Sequence, residues 1–152
     1  MLAPVLRALE QAREDLTSHC DALTDEEVWA APLGLTPLGF HLRHIAGSLD
    51  RLTTYLQGGT LTAAQFIFLE TENSAGGTRQ YLVELVGNAI ERAAEMVRQL
   101  DPQTLSEPRA VGRNTLPTTV IGLAVHLAEH TQRHVGQAIT TCNVLKAVRS
   151  SS

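Results

Sequence analysis

The sequence is poor in aromatic residues and has no excess of positive charge. Phe, Trp and Tyr make up 4% of the 152 residues, so the apolar 43% consists mainly of Leu, Ala and Val. This aliphatic mixture favours helices over sheets. The formal net charge is −4, with Lys and Arg spread along the chain. Because binding to a phosphate backbone requires a basic stripe, we expect no nucleic-acid partner.

Cysteine and long apolar runs are also scarce. The two cysteines, Cys20 and Cys142, lie far apart, and no charged-then-apolar leader precedes them. We therefore expect a reduced, cytoplasmic protein rather than a secreted disulfide scaffold. No apolar stretch approaches the roughly 20 residues of a membrane span, so we expect no membrane association. The length predicts one domain, covering residues 1–152.

Helical periodicity is the main pattern that is present. Apolar residues recur at helical spacing in four segments, which predicts an all-α fold with four main helices over residues 2–23, 36–57, 78–100 and 117–144. A capping pattern at Thr24 and Glu27 predicts a short extra helix through Trp29. Residues 58–77 form a long connection that must cross the bundle or carry a short helix around 63–69. Residues 103–116 are interpreted as a loop that could form a lid, with room for a short extended piece.

The histidines cluster on two predicted helices. His19 is alone on the first helix, and the other five lie on the second and fourth helices: His41, His44, His126, His130 and His134. Imidazole is a common metal ligand, and two at i and i+4 project from adjacent turns of one face. His126 and His134 are roughly 12 Å apart along the axis, too far to share an ion. The pair is therefore either His126 with His130 or His130 with His134.

The helical wheel ranks these alternatives. At roughly 100° per residue, His134 lies roughly 80° from the apolar direction of its helix, His130 about 120° and His126 about 160°. This order favours His130 with His134 as the inward pair. A third ligand must come from a facing helix. On the second helix His41 is roughly 60° from the leucine stripe and His44 about 120°, so periodicity slightly prefers His41 and leaves the choice open.

A competing motif lies on the fourth helix. Residues 126–130 spell H-x-x-E-H, the signature of inverzincin metalloproteases, in which Glu129 would be the general base. Glu129 points away from the apolar direction, and the chain is short for a protease, so this interpretation is disfavoured. Asp50 is another carboxylate near the histidines, and Gln137 could orient His134. Neither has a spacing that assigns it a catalytic role, and no catalytic residue is predicted.

Two segments carry a family resemblance. The sequences of residues 36–50 and 126–137, TPLGFHLRHIAGSLD and HLAEHTQRHVGQ, resemble the two histidine motifs of the DinB/YfiT-like superfamily. Matched residue by residue, the resemblance implies metal ligation by His44, His130 and His134. It also implies an up-down-down-up four-helix bundle with a long crossover between helices two and three, often as a homodimer.

Three neutral imidazoles leave a coordination position open, which is typical of catalytic sites. The resemblance implies a metal-dependent hydrolase or a transferase that uses a low-molecular-weight thiol, such as mycothiol or bacillithiol, on a small-molecule substrate. The expected cofactor is a divalent metal ion, with zinc, nickel and iron all suited to imidazole. Two alternatives stay open: a non-catalytic metal-binding or dimerisation bundle, and a helical domain whose histidines bind nothing.

Overall fold

The computed structural model describes residues 2–151, and four long helices dominate this part of the chain. The elements are α1 (Ala3–Cys20), α2 (Leu38–Leu56), α3 (Ala63–Thr71), α4 (Arg79–Arg98), β1 (Pro108–Val111), β2 (Leu116–Thr119) and α5 (Val120–Ser150). Short 3-10 helices lie at Glu27–Trp29, Pro32–Gly34 and Pro102–Thr104. The all-α prediction is confirmed. None of the helices in the described part is long and apolar enough to cross a membrane.

Some predicted boundaries differ from the structure. The first helix ends at Cys20 instead of residue 23, and the last helix continues to Ser150 instead of 144. The predicted short helix in the long connection is present as α3. The loop segment contains β1, which is the short extended piece that the sequence allowed, and β1 pairs with β2 in an antiparallel hairpin. Because β2 occupies Leu116–Thr119, the last helix begins at Val120 instead of near residue 117. The hairpin register depends on contacts across the turn, which a helical-period search does not detect.

Contacts between helices define the direction of each one. Gln132 Nε2 donates to the Ala8 carbonyl and Lys146 Nζ donates to the His19 carbonyl, so α1 and α5 run parallel. The ion pairs Arg79–Asp21 and Arg13–Glu91 join α1 and α4 in antiparallel order.

The remaining helix, α2, runs antiparallel to α5. Thr141 Oγ1 donates to the carbonyl of Thr36, which precedes α2, whereas His44, further along α2, lies beside the earlier residue His130 of α5. Taken in chain order the four long helices therefore run up, down, down and up. Their apolar faces form one core, whose largest fully buried side chains include Leu9, Leu38, Leu42, Ile45, Leu49, Leu56, Leu82, Leu123 and Leu127.

The crossover between α2 and α4 is held against α2 by polar contacts. The Arg43 guanidinium donates to the carbonyl oxygens of three crossover residues, Thr71, Ser74 and Gly76, at 2.9, 2.8 and 3.1 Å. Gln65 Nε2, on α3, donates to Oδ2 of Asp50 at 2.8 Å. None of the side chains of α3 is fully buried, and these hydrogen bonds add to its attachment to the bundle.

The β-hairpin lies near the carboxyl end of α2. Arg109 Nε donates to the Leu56 carbonyl at 2.9 Å, which ties β1 to that end of the helix. The turn begins at Gly112, whose φ of +77° is a conformation that glycine adopts without a steric penalty. The Gly112 carbonyl accepts the Thr115 N–H at 3.1 Å. The hairpin turn is thereby positioned over the same side of the bundle as His44 and His130.

Candidate metal centre

Three histidines from two helices meet on one side of the bundle. His44 belongs to α2, and His130 and His134 occupy adjacent turns of α5. One ring nitrogen of each lies within 4.8 Å of the others. The ring centroids are separated by 5.2 Å for His44–His130, 4.3 Å for His44–His134 and 4.7 Å for His130–His134. The structure thus brings together the three residues that the family motif selected, and their donor atoms are close enough to hold one metal ion.

The two other histidines near this cluster have different surroundings. His41 is 4% exposed, and its Nδ1 lies 3.4 Å from Nδ1 of His134, outside the group of three. The slight preference of periodicity for His41 reflects its deeper burial rather than its proximity to His130. The side chain of His126 is 43% exposed, and its Nδ1 lies 3.9 Å from a Glu129 oxygen. This agrees with the wheel, which placed His126 nearest to solvent.

Burial keeps the imidazoles of His130 and His134 neutral at pH 7, because it lowers their pKa values. Desolvation, followed by the neighbouring histidines His134 and His44, lowers the pKa of His130 from 6.5 to about 4. Desolvation, followed by His44 and Arg133, lowers the pKa of His134 to about 4. A neutral imidazole has a free nitrogen lone pair, the form that binds a metal. The buried Nδ1 of His130 also has no hydrogen-bond partner in the described part of the chain.

A buried carboxylate orients His44. The Nδ1–H of His44 donates to Oε2 of Glu72 at 2.7 Å, and Arg51 Nη1 donates to Oε1 of the same carboxylate at 2.8 Å. The Glu72 side chain is 3% exposed. This contact fixes the tautomer of His44 that carries its proton on Nδ1 and leaves Nε2 free to bind a metal, the arrangement found around metal-ligating histidines in many proteins.

Sequence reasoning missed Glu72. It follows the short helix α3 in the crossover, 28 residues from His44, and belongs to neither histidine motif. His44 and Glu72 lie in different structural segments, so their separation along the chain does not predict how far apart they are in space. The sequence alone therefore contains no signal for this contact.

The other polar candidates lie away from the cluster. Asp50 is exposed and accepts from Gln65, and Glu129 is exposed and lies 3.7 Å from Arg133. Gln137 is exposed and forms no hydrogen bond with His134 within residues 2–151.

A cavity of about 210 Å³ opens beside His44 and His130. Helix α2 and the crossover supply its apolar wall, formed by Leu52, Tyr55, Leu61, Phe66 and Leu69. Its polar lining comes from Ser48, Arg51 and His126, and Gly112 and Arg113 of the hairpin turn also border it. The segment that the sequence suggested as a lid therefore reaches the cavity through its turn. A small molecule in this space would lie next to the histidine cluster.

Comparison with known proteins identifies the family. A sequence model of the DinB superfamily matches residues 8–138. The chain belongs to the DinB superfamily. This confirms the resemblance drawn from the two histidine motifs. No curated protein has a sequence significantly similar to this DinB superfamily chain.

Solved structures share the fold of this DinB superfamily chain at low sequence identity. A conserved protein from Enterococcus faecalis aligns with a TM-score of 0.75 and 19% identity, over 94% of this chain and 95% of that one. A Streptococcus pneumoniae protein aligns with a TM-score of 0.70 and 15% identity, over 94% and 88% of the two chains. YfiT from Bacillus subtilis aligns with a TM-score of 0.68 and 14% identity, over 92% and 85%. YfiT is described as a probable metal-dependent hydrolase with an unusual four-helix bundle topology.

Proposed function

We propose that this protein binds one divalent metal ion through His44, His130 and His134 and acts as a metal-dependent enzyme on a small molecule in the adjacent cavity. The observation that carries the proposal is the convergence of three ring nitrogens within 4.8 Å, next to a cavity of about 210 Å³. The unpartnered Nδ1 of buried His130 supports it, because a metal ion would satisfy an atom that is otherwise costly to bury. Zinc, nickel and iron all suit a site of imidazole ligands.

Neighbouring residues orient the proposed ligands and keep them in their metal-binding protonation state even without a metal ion. Glu72 holds the His44 ring through Nδ1, and Phe40 stacks against the same ring with centroids 5.3 Å apart and planes at 14°. The lowered pKa values of His130 and His134 keep both rings deprotonated at neutral pH. A bound divalent ion supplies a Lewis acid that lowers the pKa of a coordinated water or thiol.

The cavity lining bears on the reaction class. Within the described chain, the residues that line the cavity include no carboxylate, so no Asp or Glu is in place to remove a proton from an attacking water. Coordination to a divalent ion would lower the pKa of a bound water as well as of a bound thiol, so neither reaction needs a carboxylate base. The proposed reaction is therefore transfer of a low-molecular-weight thiol or hydrolysis. Hydrolysis is the activity suggested for YfiT, and His126 is the titratable group that it could use on the cavity wall.

Metal content tests the site. We expect the purified protein to contain close to one equivalent of zinc, nickel or iron by elemental analysis, and H44A, H130A and H134A each to lose most of it. H41A and H126A are matched controls, because they remove neighbouring imidazoles that lie outside the group of three. Equal metal content in all five variants would refute the site.

Turnover separates an enzyme from a metal-binding bundle. Metal-loaded and metal-free protein would be incubated with cysteine, bacillithiol or mycothiol and 1-chloro-2,4-dinitrobenzene, and in parallel with p-nitrophenyl acetate alone. Thiol-dependent turnover that requires the metal supports transfer, and ester cleavage without thiol supports hydrolysis. Absence of both would favour the non-catalytic alternative.

A further inference from the structure

The cavity beside the histidine cluster has positively charged groups in its wall and no negatively charged group. Arg51 and Arg113 both line it, and its lining residues in the described chain include no Asp or Glu. Because buried Glu72, outside the lining, pairs with Arg51, the net positive charge of the cavity comes from Arg113, in a protein whose overall net charge is −4. A divalent ion at the three histidines would add to the positive potential. Low-dielectric walls strengthen such a field for a ligand of opposite charge.

The two guanidinium groups differ in what they already bind. Arg51 is committed to Glu72, which accepts from it at 2.8 Å. Arg113 is exposed in the hairpin turn and forms no ion pair with a carboxylate in the described residues. Of the two arginines that line the cavity, Arg113 is therefore the one available to pair with an anionic ligand.

The hairpin places Arg113 in a defined position. The turn begins at Gly112, and the strand before it is tied to the end of α2 by the Arg109 bond to the Leu56 carbonyl. Both Gly112 and Arg113 border the cavity. Arg113 therefore lies on the rim that the hairpin contributes, whereas His44 and His130 are contributed by the helices.

The remaining wall is apolar. Leu52 is buried, and Phe66 and Leu69 of α3 join it together with the ring of Tyr55. Phe66 is 37% exposed although it is a large apolar side chain, and a molecule in the cavity would cover part of it. Apolar walls with a few placed polar groups are typical of small-molecule sites.

We propose that the substrate is an organic anion with an apolar body, bound so that its anionic group pairs with Arg113 and its body packs on Leu52, Phe66 and Leu69. This assignment deepens the proposed function and rests on it, because the reacting end of the molecule then lies at the metal held by His44 and His130. The charged group sets the orientation, since an Arg–carboxylate contact is directional and the apolar wall is not.

A pair of probes that differ only in tail charge tests this assignment. Suberic acid monohydroxamate has a metal-binding hydroxamate, a six-carbon apolar spacer and a carboxylate tail. Its matched partner has a primary amide in place of the carboxylate. We expect zinc-loaded wild type to bind the carboxylate probe about five- to tenfold more tightly in calorimetric titration, in line with a partly exposed charge-assisted contact.

Substitutions of Arg113 test whether this residue causes the preference for the carboxylate probe. R113M keeps an unbranched side chain without the charge and is expected to bind the two probes equally, while R113K retains part of the preference. R92M is the matched control, because Arg92 is exposed on α4, which contributes no residue to the cavity lining. Circular dichroism would verify that the variants are folded.

The outcomes distinguish this inference from the proposed function. Equal affinity of wild type for the two probes, or a carboxylate preference that survives in R113M, would overturn the anion assignment alone. Failure of both probes to bind protein that holds one equivalent of zinc would overturn the cavity as the substrate site and the anion assignment with it, whereas failure of the protein to hold zinc would overturn the metal site of the proposed function.

Discussion

At the scale of single residues, the orientation of one imidazole depends on a carboxylate from a separate segment. The side chain of His44 is 18% exposed, its Nδ1 is bonded to Glu72 and its ring is stacked on Phe40. Glu72 in turn is held by Arg51. Hydrogen bonds thus link Arg51 to Glu72 and Glu72 to His44. They hold the His44 ring with its free Nε2 available to a metal ion before any metal binds.

Replacing Glu72 with Gln is expected to lower zinc affinity about 10- to 100-fold, because a neutral amide holds the Nδ1–H of His44 more weakly than a carboxylate does. Competition with a chromogenic chelator would measure the affinity. E70Q is the matched control, since Glu70 is exposed in the last turn of α3, two residues before Glu72. An affinity for E72Q equal to that of E70Q would show that Glu72 does not position the ligand.

At the scale of elements, a close approach between α2 and the crossover makes the Glu72 contact available. A Cβ placed on Gly47 would lie 2.5 Å from Oε1 of Glu72 and 2.8 Å from both Arg51 Nη1 and Phe68 Cδ1. Glycine at this position of α2 thus leaves the volume that the carboxylate and guanidinium occupy. Gly87 of α4 offers a contrast, because a Cβ there would meet nothing within 4 Å.

Gly47→Ala is therefore expected to weaken zinc binding although all three histidines are retained, since the added methyl displaces the Glu72 carboxylate from His44. We expect it also to destabilise the fold by about 1 kcal/mol or more through overpacking. Gly87→Ala is the control and should stabilise by up to about 1 kcal/mol from helix propensity alone. Urea unfolding and chelator competition would measure both effects, and unchanged zinc affinity in G47A would contradict the packing argument.

At the scale of the whole molecule, the histidine cluster joins helices that are far apart in sequence. Folding buries several of its imidazole rings, which are neutral at pH 7. Burial is the largest cause that lowers the pKa of His41, His130 and His134 from 6.5 to about 4. The unfolded chain has no such burial, so its histidines titrate near 6.5. As the pH falls from about 6.5 towards 4, the unfolded state therefore binds protons that the folded state does not.

The free energy of unfolding of the metal-free protein is expected to fall steadily over that pH range and to be largest above pH 6.5. Urea titrations at pH 7.5, 6.0 and 5.0 would measure it. His41→Gln should reduce the pH slope by about one third, because it removes one of three groups of similar pKa and is not one of the three proposed metal ligands. A stability that does not change between pH 7.5 and 5.0 would show that these histidines are not buried in their neutral form.

Much of the architecture could be predicted because helices are local. The recurrence of leucines in α2 requires only the helical period, and the Thr24–Glu27 pattern is present as reciprocal hydrogen bonds at the turn before Trp29. The pairing of His130 with His134 has the same origin, because both lie on one helix whose geometry relates them directly.

The contact between the third histidine and the pair on α5 depends on the tertiary structure. Helical periodicity left His41 and His44 open, and the family motif selected His44. Which of the two lies against His130 depends on how α2 is rotated about its axis relative to α5, an angle that helical periodicity does not define closely. The contact from Glu72, the hairpin that carries Arg113 and the space at Gly47 all join segments with no fixed spacing between them. The sequence by itself thus determined the helices, the family and the histidine pair of α5, because these follow from local periodicity and motif. The meeting of His44 with that pair and the cavity beside it follow from packing between elements, which exists only once the chain is folded.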